Sequence, residues 1–299
     1  MNKEVALKNT IDYIGENLIL RIQSLMVNKH FQRVYLYIAF LLHLTIIFLV
    51  SAQAETIPSL CKITYPSDAQ VEWECRRLLK GETLESLFGD RWVDVARFNR
   101  IDRRHVYPGI YIKVPKQLED IENYTPLLKY YHPAKSEAKF ILVNLLEQFL
   151  GAYEYGHLVL SSPVATGNKG NETPTGEFKI IAIDSRHKSS LYFVEKTKKL
   201  YPMNYGLMFH VDKKGVAYWV HSRDLPGYPA SHGCIGLYDE HMQKKYYGYP
   251  KEPVLEDSEL LFKWVISPLT DDKKYRILKD GPKIAIIIGD SPVTISCSQ

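Results

Sequence analysis

The stretch that decides the fold reads His221-Ser222-Arg223-Asp224-Leu225-Pro226-Gly227-Tyr228-Pro229-Ala230-Ser231-His232-Gly233-Cys234-Ile235-Gly236-Leu237. A cysteine needs a nearby base or cation to form a thiolate at neutral pH, and two histidines here could serve. Gly233 allows a tight turn that leaves backbone N–H groups free to face an oxyanion. From these residues alone, three interpretations fit: a Cys/His nucleophile, a structural buried cysteine, or a zinc site formed by His221, His232 and Cys234.

Further motifs reduce these alternatives. After His221 and a nine-residue gap comes Ser231-His232-Gly233-Cys234-Ile235; upstream lie Pro-Val-Ala-Thr-Gly at 163–167, Thr-Pro-Thr-Gly-Glu-Phe at 173–178 and Met-Asn-Tyr-Gly-Leu-Met-Phe at 203–209. Together these motifs resemble the YkuD-type L,D-transpeptidase catalytic domain, over residues 138–290. The resemblance implies a β-sandwich or barrel that needs no cofactor and no metal.

The resemblance also assigns roles to individual residues. It implies that Cys234 is the nucleophile, that His221 is its base, and that the carbonyl of Ser222 orients the imidazole. The backbone N–H groups of His232, Gly233 and Cys234 would form the oxyanion hole, and the His232 side chain would be structural. Residues expected to contact substrate are Met203, Tyr205, Arg223 and Ser231.

One position departs from the family pattern. Gly236 stands where the signature normally has arginine, and the planar guanidinium fork of arginine is poorly replaced by other groups. We therefore consider two hypotheses: Arg223, next to the base, supplies the missing cation, or Arg223 is an ordinary surface residue. The gap after His221 is also short for the family.

The implied reaction acts on peptidoglycan. The Cys234 thiolate would attack the carbonyl of the third residue of a stem tetrapeptide and expel D-alanine, leaving a thioester. An amine of a second stem would then give a 3–3 crosslink, a lysine of a lipoprotein would give protein attachment, and water would give L,D-carboxypeptidase activity. A non-catalytic cell-wall-binding protein is the remaining alternative, and the sequence does not choose among these acceptors.

The first 54 residues predict export. Lys29 and Arg33 precede an apolar run at 34–50, and Ala52-Gln53-Ala54 follows. This order is typical of a signal peptide cleaved after Ala54, with translation starting at Met26, and it predicts a periplasmic protein. An uncleaved membrane anchor through 34–50 is the alternative, since about 17 residues span roughly 25 Å.

A small module is expected at 74–115, flanked by linkers at 55–73 and 116–137. Thr83 can cap a helix, a second helix follows at 93–98, and Pro108-Gly109 turns into a strand at 110–114. This βααβ pattern, with its Lys80-Gly81-Glu82-Thr83-Leu84 opening, resembles the LysM module. The resemblance implies glycan binding by Gly81, Glu82, Thr83 and Gly109; a packing module without sugar binding is the alternative.

The remaining chain predicts a mainly β fold with some helix. Strands are expected at 140–144, 153–164, 176–182, 191–194 and 283–289, an insertion or flap at 238–283, and a tail at 291–299. A net charge of +4 without long basic runs argues against a nucleic-acid-binding protein. If Cys234 stays reduced, Cys75 can pair with either Cys61 or Cys297, and the spacing does not choose.

Overall fold

The computed structural model describes residues 59–268 and 275–289, together with residues 21, 33, 37 and 38. The predicted signal or anchor, apart from these four residues, lies outside this range, as do Cys297 and the tail. The chain divides into two compact units, and every strand among the described residues lies in the unit Pro58–Gln299. Within the described range, no helix combines the length and the apolar character that crossing a bilayer requires.

The N-terminal module, defined here as residues 59–115, has the predicted order of strand, helix, helix and strand. Its elements are β1 (Trp73–Arg77), α1 (Leu84–Phe88), α2 (Trp92–Asn99) and β2 (Tyr111–Pro115). Thr83 caps α1 by accepting a hydrogen bond from the Ser86 N–H, and β1 pairs antiparallel with β2. A disulfide joins Cys61 to Cys75, which answers the pairing that the sequence leaves open.

The module shares its hydrophobic core with the rest of the chain. Phe98 and Ile101 are fully buried and belong to one cluster with Phe149, Leu225 and Tyr238. The segment 116–137, interpreted from sequence as a linker, contributes buried apolar side chains as well: Ile121, Tyr124, Leu127, Tyr131 and Ala134. The module is therefore packed against the second part of the chain, and its identity as a LysM domain stays a prediction.

The second part contains ten strands and two helices among the described residues. The strands are β3 (Phe140–Asn144), β4 (Phe149–Glu154), β5 (His157–Pro163), β6 (Gly176–Lys179), β7 (Ala182–Phe193), β8 (Leu200–Val211), β9 (Ala217–Ser222), β10 (Ile235–Leu237), β11 (Arg276–Ile277) and β12 (Lys283–Ile287). The helices are α3 (Glu240–Tyr247) and α4 (Asp257–Ile266).

These strands form two five-stranded sheets, ordered β10-β9-β8-β7-β11 and β5-β4-β3-β12-β6. Most neighbours are antiparallel, but β9 with β10 and β3 with β12 are parallel. Side chains from both sheets, such as Val143 and Leu207, meet in one core with Phe262 of α4. The prediction of a mainly β fold is confirmed, and the expected strand 153–164 is instead parts of two strands joined by a turn at Tyr155-Gly156.

The segment 238–283, expected to be an insertion or flap, is partly structural. Helix α4 buries Leu261 and Phe262 against the sheets. Trp264 is partly buried against the same core, and its indole Nε1 donates to Glu154 at 2.8 Å. Helix α3 carries Tyr247 beside Arg104 of the N-terminal module, with the guanidinium carbon 4.2 Å from the ring centre.

Candidate active site

The residues at the centre of the candidate site are held by two neighbouring strands. His221 lies on β9, opposite Gly236 of the parallel strand β10, and Cys234 immediately precedes β10. His221 is 3% exposed, and its Nδ1 lies 2.6 Å from the carbonyl oxygen of Ser222. Because a carbonyl can only accept, Nδ1 carries the hydrogen and Nε2 is left able to accept a proton. The predicted orientation by Ser222 therefore has the expected geometry.

Burial keeps both reactive groups neutral at rest. It lowers the pKa of His221 to about 3; the hydrogen bond to the Ser222 carbonyl acts in the opposite direction, and the nearby Arg223 guanidinium adds to the lowering. Burial raises the pKa of the Cys234 thiol, against smaller lowering effects of the Trp219 backbone and Arg223. Desolvation disfavours the charged form in each case. Cys234 is the free cysteine of the described range, and the two pKa shifts favour a neutral thiol and a neutral imidazole.

Ser231 and Gly233 shape the turn that presents Cys234. The buried Ser231 hydroxyl donates to the Cys234 carbonyl and accepts from the Gly233 N–H at 3.1 Å. Gly233 has a φ of +107°, and a Cβ there would lie 2.6 Å from the Tyr218 ring. Only glycine meets both conditions. Of the three predicted oxyanion donors, the Gly233 N–H is thus already paired.

The His232 side chain lies at the surface. Its ring stacks on Tyr192 of β7 with centroids 4.7 Å apart. This placement agrees with the expectation that His232 contributes through its backbone and not as a base.

The Arg223 side chain fills the space that a side chain at position 236 would need. A Cβ built on Gly236 would lie 2.4 Å from the Arg223 Cβ and 2.5 Å from its Cδ, so the arginine stem covers the glycine. The Arg223 Nη2 donates to the Ala230 carbonyl at 2.7 Å. The arginine that the family usually has at position 236 is therefore absent, and the side chain of Arg223, which follows the end of β9, fills the space next to Gly236.

The other expected substrate residues lie on β8. Met203 is 9% exposed, and Tyr205 has a positive φ of 57° and packs against Phe262. Sequence reasoning missed two residues on the strands that flank β8, His187 on β7 and Trp219 on β9. Their rings stack 4.2 Å apart, and His187 Nδ1 lies 3.2 Å from Asp184. They have no motif spacing; only the sheet register, which brings β7 and β9 together across Gly206, reveals them.

The four residues expected to bind glycan are brought into one region of the N-terminal module. The Gly109 N–H donates to the Leu78 carbonyl, which places the 107–110 turn beside the loop that holds Gly81, Glu82 and Thr83. Glu82, however, is engaged internally: it accepts from Arg76 and from the Leu79 N–H. Glycan binding by this region stays a prediction.

Across the described residues, no group of three or more acidic, histidine or cysteine side chains has a geometry that could hold a metal ion. His221, His232 and Cys234, the ligand set considered from sequence, include one exposed ring stacked on Tyr192.

Comparison with known proteins gives one family match. Residues 138–254 match the YkuD family model, described as the L,D-transpeptidase catalytic domain. The match covers less than half of the chain, ends before the predicted boundary at 290, and contains both His221 and Cys234. No curated protein sequence matches the chain.

Several solved structures are distantly similar. An L,D-transpeptidase from Xylanimonas cellulosilytica is 20% identical over 65% of this chain and 79% of its own, with a TM-score of 0.36. One from Stackebrandtia nassauensis is 19% identical over 69% of each chain, with a TM-score of 0.34. L,D-transpeptidase 3 from Mycobacterium tuberculosis, solved with a faropenem-derived adduct, is 16% identical over 50% of this chain, with a TM-score of 0.32. The present chain spans 60% of that protein's length.

Proposed function

Since residues 138–254 form a YkuD-type L,D-transpeptidase catalytic domain, we propose that the protein is a peptidoglycan L,D-transpeptidase with Cys234 as its nucleophile. The observation that carries the proposal is the buried His221, with its Nδ1 fixed on the Ser222 carbonyl at 2.6 Å, on the strand paired with the one that Cys234 immediately precedes. A positioned base that takes a proton during attack contributes about 10²–10⁴-fold in rate.

In the proposed acylation step, the Cys234 thiol proton moves to His221 Nε2 as sulfur attacks the carbonyl carbon of the third stem residue. The His232 and Cys234 N–H groups would stabilise the oxyanion. Collapse breaks the peptide bond, and the leaving D-alanine amine takes the proton from His221. A thioester on Cys234 remains, and the imidazole is neutral again.

The second step regenerates the enzyme. An acceptor amine attacks the thioester carbon and gives its proton to His221, the carbon–sulfur bond breaks, and His221 returns the proton to sulfur. A second stem as acceptor gives a 3–3 crosslink, which we propose as the main reaction. A lipoprotein lysine or water could enter the same step, and the chemistry of the site is the same for each.

Export is part of the proposal, because peptidoglycan lies outside the cytoplasm. The basic residues before 34–50 and the Ala52-Gln53-Ala54 sequence support a signal peptide, and the Cys61–Cys75 disulfide suits an oxidising compartment such as the periplasm. N-terminal sequencing of the mature protein should begin after Ala54. Recovery of peptides from 34–50 in the mature protein would instead support an anchor.

The decisive experiment is mass spectrometry of the purified protein with a stem tetrapeptide. We expect an adduct on Cys234 equal to the donor minus D-alanine, and crosslinked dimer when a second stem is present. Cys234→Ala should give neither, while His232→Gln, which removes the exposed histidine, should keep both. Tripeptide without dimer would identify a carboxypeptidase. Absence of any adduct and product with wild-type protein would contradict the proposal and favour a wall-binding role.

A further inference from the structure

The loop that links the base to the nucleophile is held by the N-terminal module. This connecting loop, residues 223–230, begins at the end of β9 and leads to Ser231. At its centre, the Asp102 N–H donates to the Leu225 carbonyl at 2.8 Å, and the Leu225 N–H donates to Asp102 Oδ2 at 2.6 Å. Ile101 and Pro226 form a β-bridge beside this reciprocal pair. The module thus makes backbone contacts with the loop, and not only side-chain packing.

Asp102 is fully buried and uses both carboxylate oxygens. Oδ1 accepts from the His105 N–H at 3.0 Å and lies 2.8 Å from its Nδ1, while Oδ2 accepts from Leu225 and from Gln243 Nε2 at 2.7 Å. A buried carboxylate with this many partners is strongly fixed in place. Asp102 therefore ties three segments together: the module's own turn, the connecting loop and helix α3.

Three further contacts anchor the loop on either side of Leu225. Arg104 Nη2 binds Asp224 at 2.9 Å, and the Tyr65 hydroxyl donates to the Gly227 carbonyl at 2.8 Å. Gly227 has a φ of +96°, and a Cβ there would lie 2.7 Å from Leu60 Cδ2. Leu60 neighbours Cys61, which the disulfide fixes to β1.

The ends of the loop are fixed by the sandwich itself. The Arg223 N–H donates to the Leu237 carbonyl, and the Ala230 and Ser231 N–H groups both donate to the Thr166 carbonyl. The segment between these ends joins the strand that carries His221 to the turn that carries Cys234. That segment runs along the N-terminal module.

We infer that the N-terminal module is a positioning element for the active site, and that Asp102 is its central positioning residue. The inference rests on the proposed function for its kinetic readout. Asp102 touches neither reacting group and acts through the connecting loop. A misplacement of about 1 Å between reacting groups can cost about 10²-fold in rate, so a modest loop shift has a large kinetic effect.

The test compares two positions in the same interface. In Asp102→Asn, one carboxylate oxygen becomes an NH2 group, which cannot accept hydrogen bonds. It therefore leaves unpaired either the His105 donors or those of Leu225 and Gln243. The matched control is Arg97→Ala: Arg97 also bridges the module to the sandwich, through Asp257 and the Ser161 carbonyl, both at 2.8 Å, but it does not contact the connecting loop. Arg104→Gln is a milder loop variant in case Asp102→Asn does not fold.

Three quantities are measured below the melting temperature of each variant: kcat and KM for the stem tetrapeptide, and the pH profile of Cys234 alkylation by iodoacetamide. We expect Asp102→Asn to lower kcat about 10²-fold with a smaller change in KM, and to slow alkylation. Arg104→Gln should lower kcat about 10-fold by partial loss of the same contacts. Arg97→Ala should lower the melting temperature and leave kcat and the alkylation profile at wild-type values.

Equal loss of kcat in Arg97→Ala and the loop variants would overturn the inference, because the module would then act through stability alone. Wild-type kcat and alkylation in Asp102→Asn or Arg104→Gln would overturn it as well. If wild-type protein does not turn over tetrapeptide, the proposed function fails, and the alkylation profiles alone decide whether the module positions Cys234.

Discussion

Two buried polar regions of this molecule use their titratable groups in opposite ways. In the interior cluster of Asp68, Arg100, Lys113 and Glu147, each cation meets a carboxylate: Arg100 lies 3.2 Å from both Asp68 and Glu147, and Lys113 Nζ lies 2.5 Å from Asp68. In the candidate active site, the buried His221 has the uncharged Ser222 carbonyl as its hydrogen-bond partner at Nδ1. In the cluster every charge is saturated with partners of opposite sign, whereas His221 is buried without a counter-charge and remains able to exchange a proton.

The largest effect, a loss of stability, is expected from a substitution in the interior cluster. Arg100 is fully buried, and Arg100→Leu leaves Glu147 without its cation and Asp68 with Lys113 alone. Breaking a buried pair by removing one partner costs about 3–5 kcal/mol. Urea unfolding should show this loss, while Lys116→Ala, which removes an exposed partner of Glu72, should shift the midpoint little. A loss below about 1 kcal/mol for Arg100→Leu would mean that the cluster is not the saturated region described above.

The same contrast explains what the sequence predicts and what it does not. His221, Ser231, Gly233 and Cys234 lie within one short stretch, and local chemistry is enough to place them together. The sandwich also follows from alternating β-rich segments. Arg100, Asp102 and Glu147 lack such a signal, because charged residues are usually exposed and their partners lie far along the chain. Asp102 and Leu225, for example, are 123 positions apart. Only the packed fold brings these residues into contact.

The next largest effect is expected on the rate of Cys234 acylation, when the family's usual arginine is restored beside Arg223. Restoring the family's usual residue with Gly236→Arg places a Cβ 2.4 Å from that of Arg223, so we expect the variant to lose about 10²-fold in the rate of Cys234 acylation. Measurement is by mass spectrometry of the tetrapeptide adduct over time.

The double variant Arg223→Gly with Gly236→Arg separates sterics from charge. It removes the clash and returns one cation to the site, so acylation should recover to within about 10-fold of wild type. Arg223→Ala alone should lower acylation if the guanidinium is used, and should leave it unchanged if Arg223 is an ordinary surface residue. If Cys234 is acylated no faster in the double variant than in Gly236→Arg, Arg223 does not take the place of the family's usual arginine.

The smallest expected effect is on the pH dependence of stability, which tests whether His221 is neutral in the folded protein. Its pKa is lowered to about 3 in the folded protein, against 6.5 as the ordinary value. Between these values the unfolded chain binds a proton that the folded protein does not, so stability is full above pH 6.5 and is lost as pH falls towards 3. From pH 8 to pH 5 this amounts to about 2 kcal/mol from His221 alone.

The test is the free energy of unfolding, measured in urea at several pH values. For His221→Gln it should decrease less than for wild type between pH 8 and pH 5, by about that difference. Parallel curves for wild type and His221→Gln would show that His221 accepts its proton without cost, and the site would then resemble the saturated cluster.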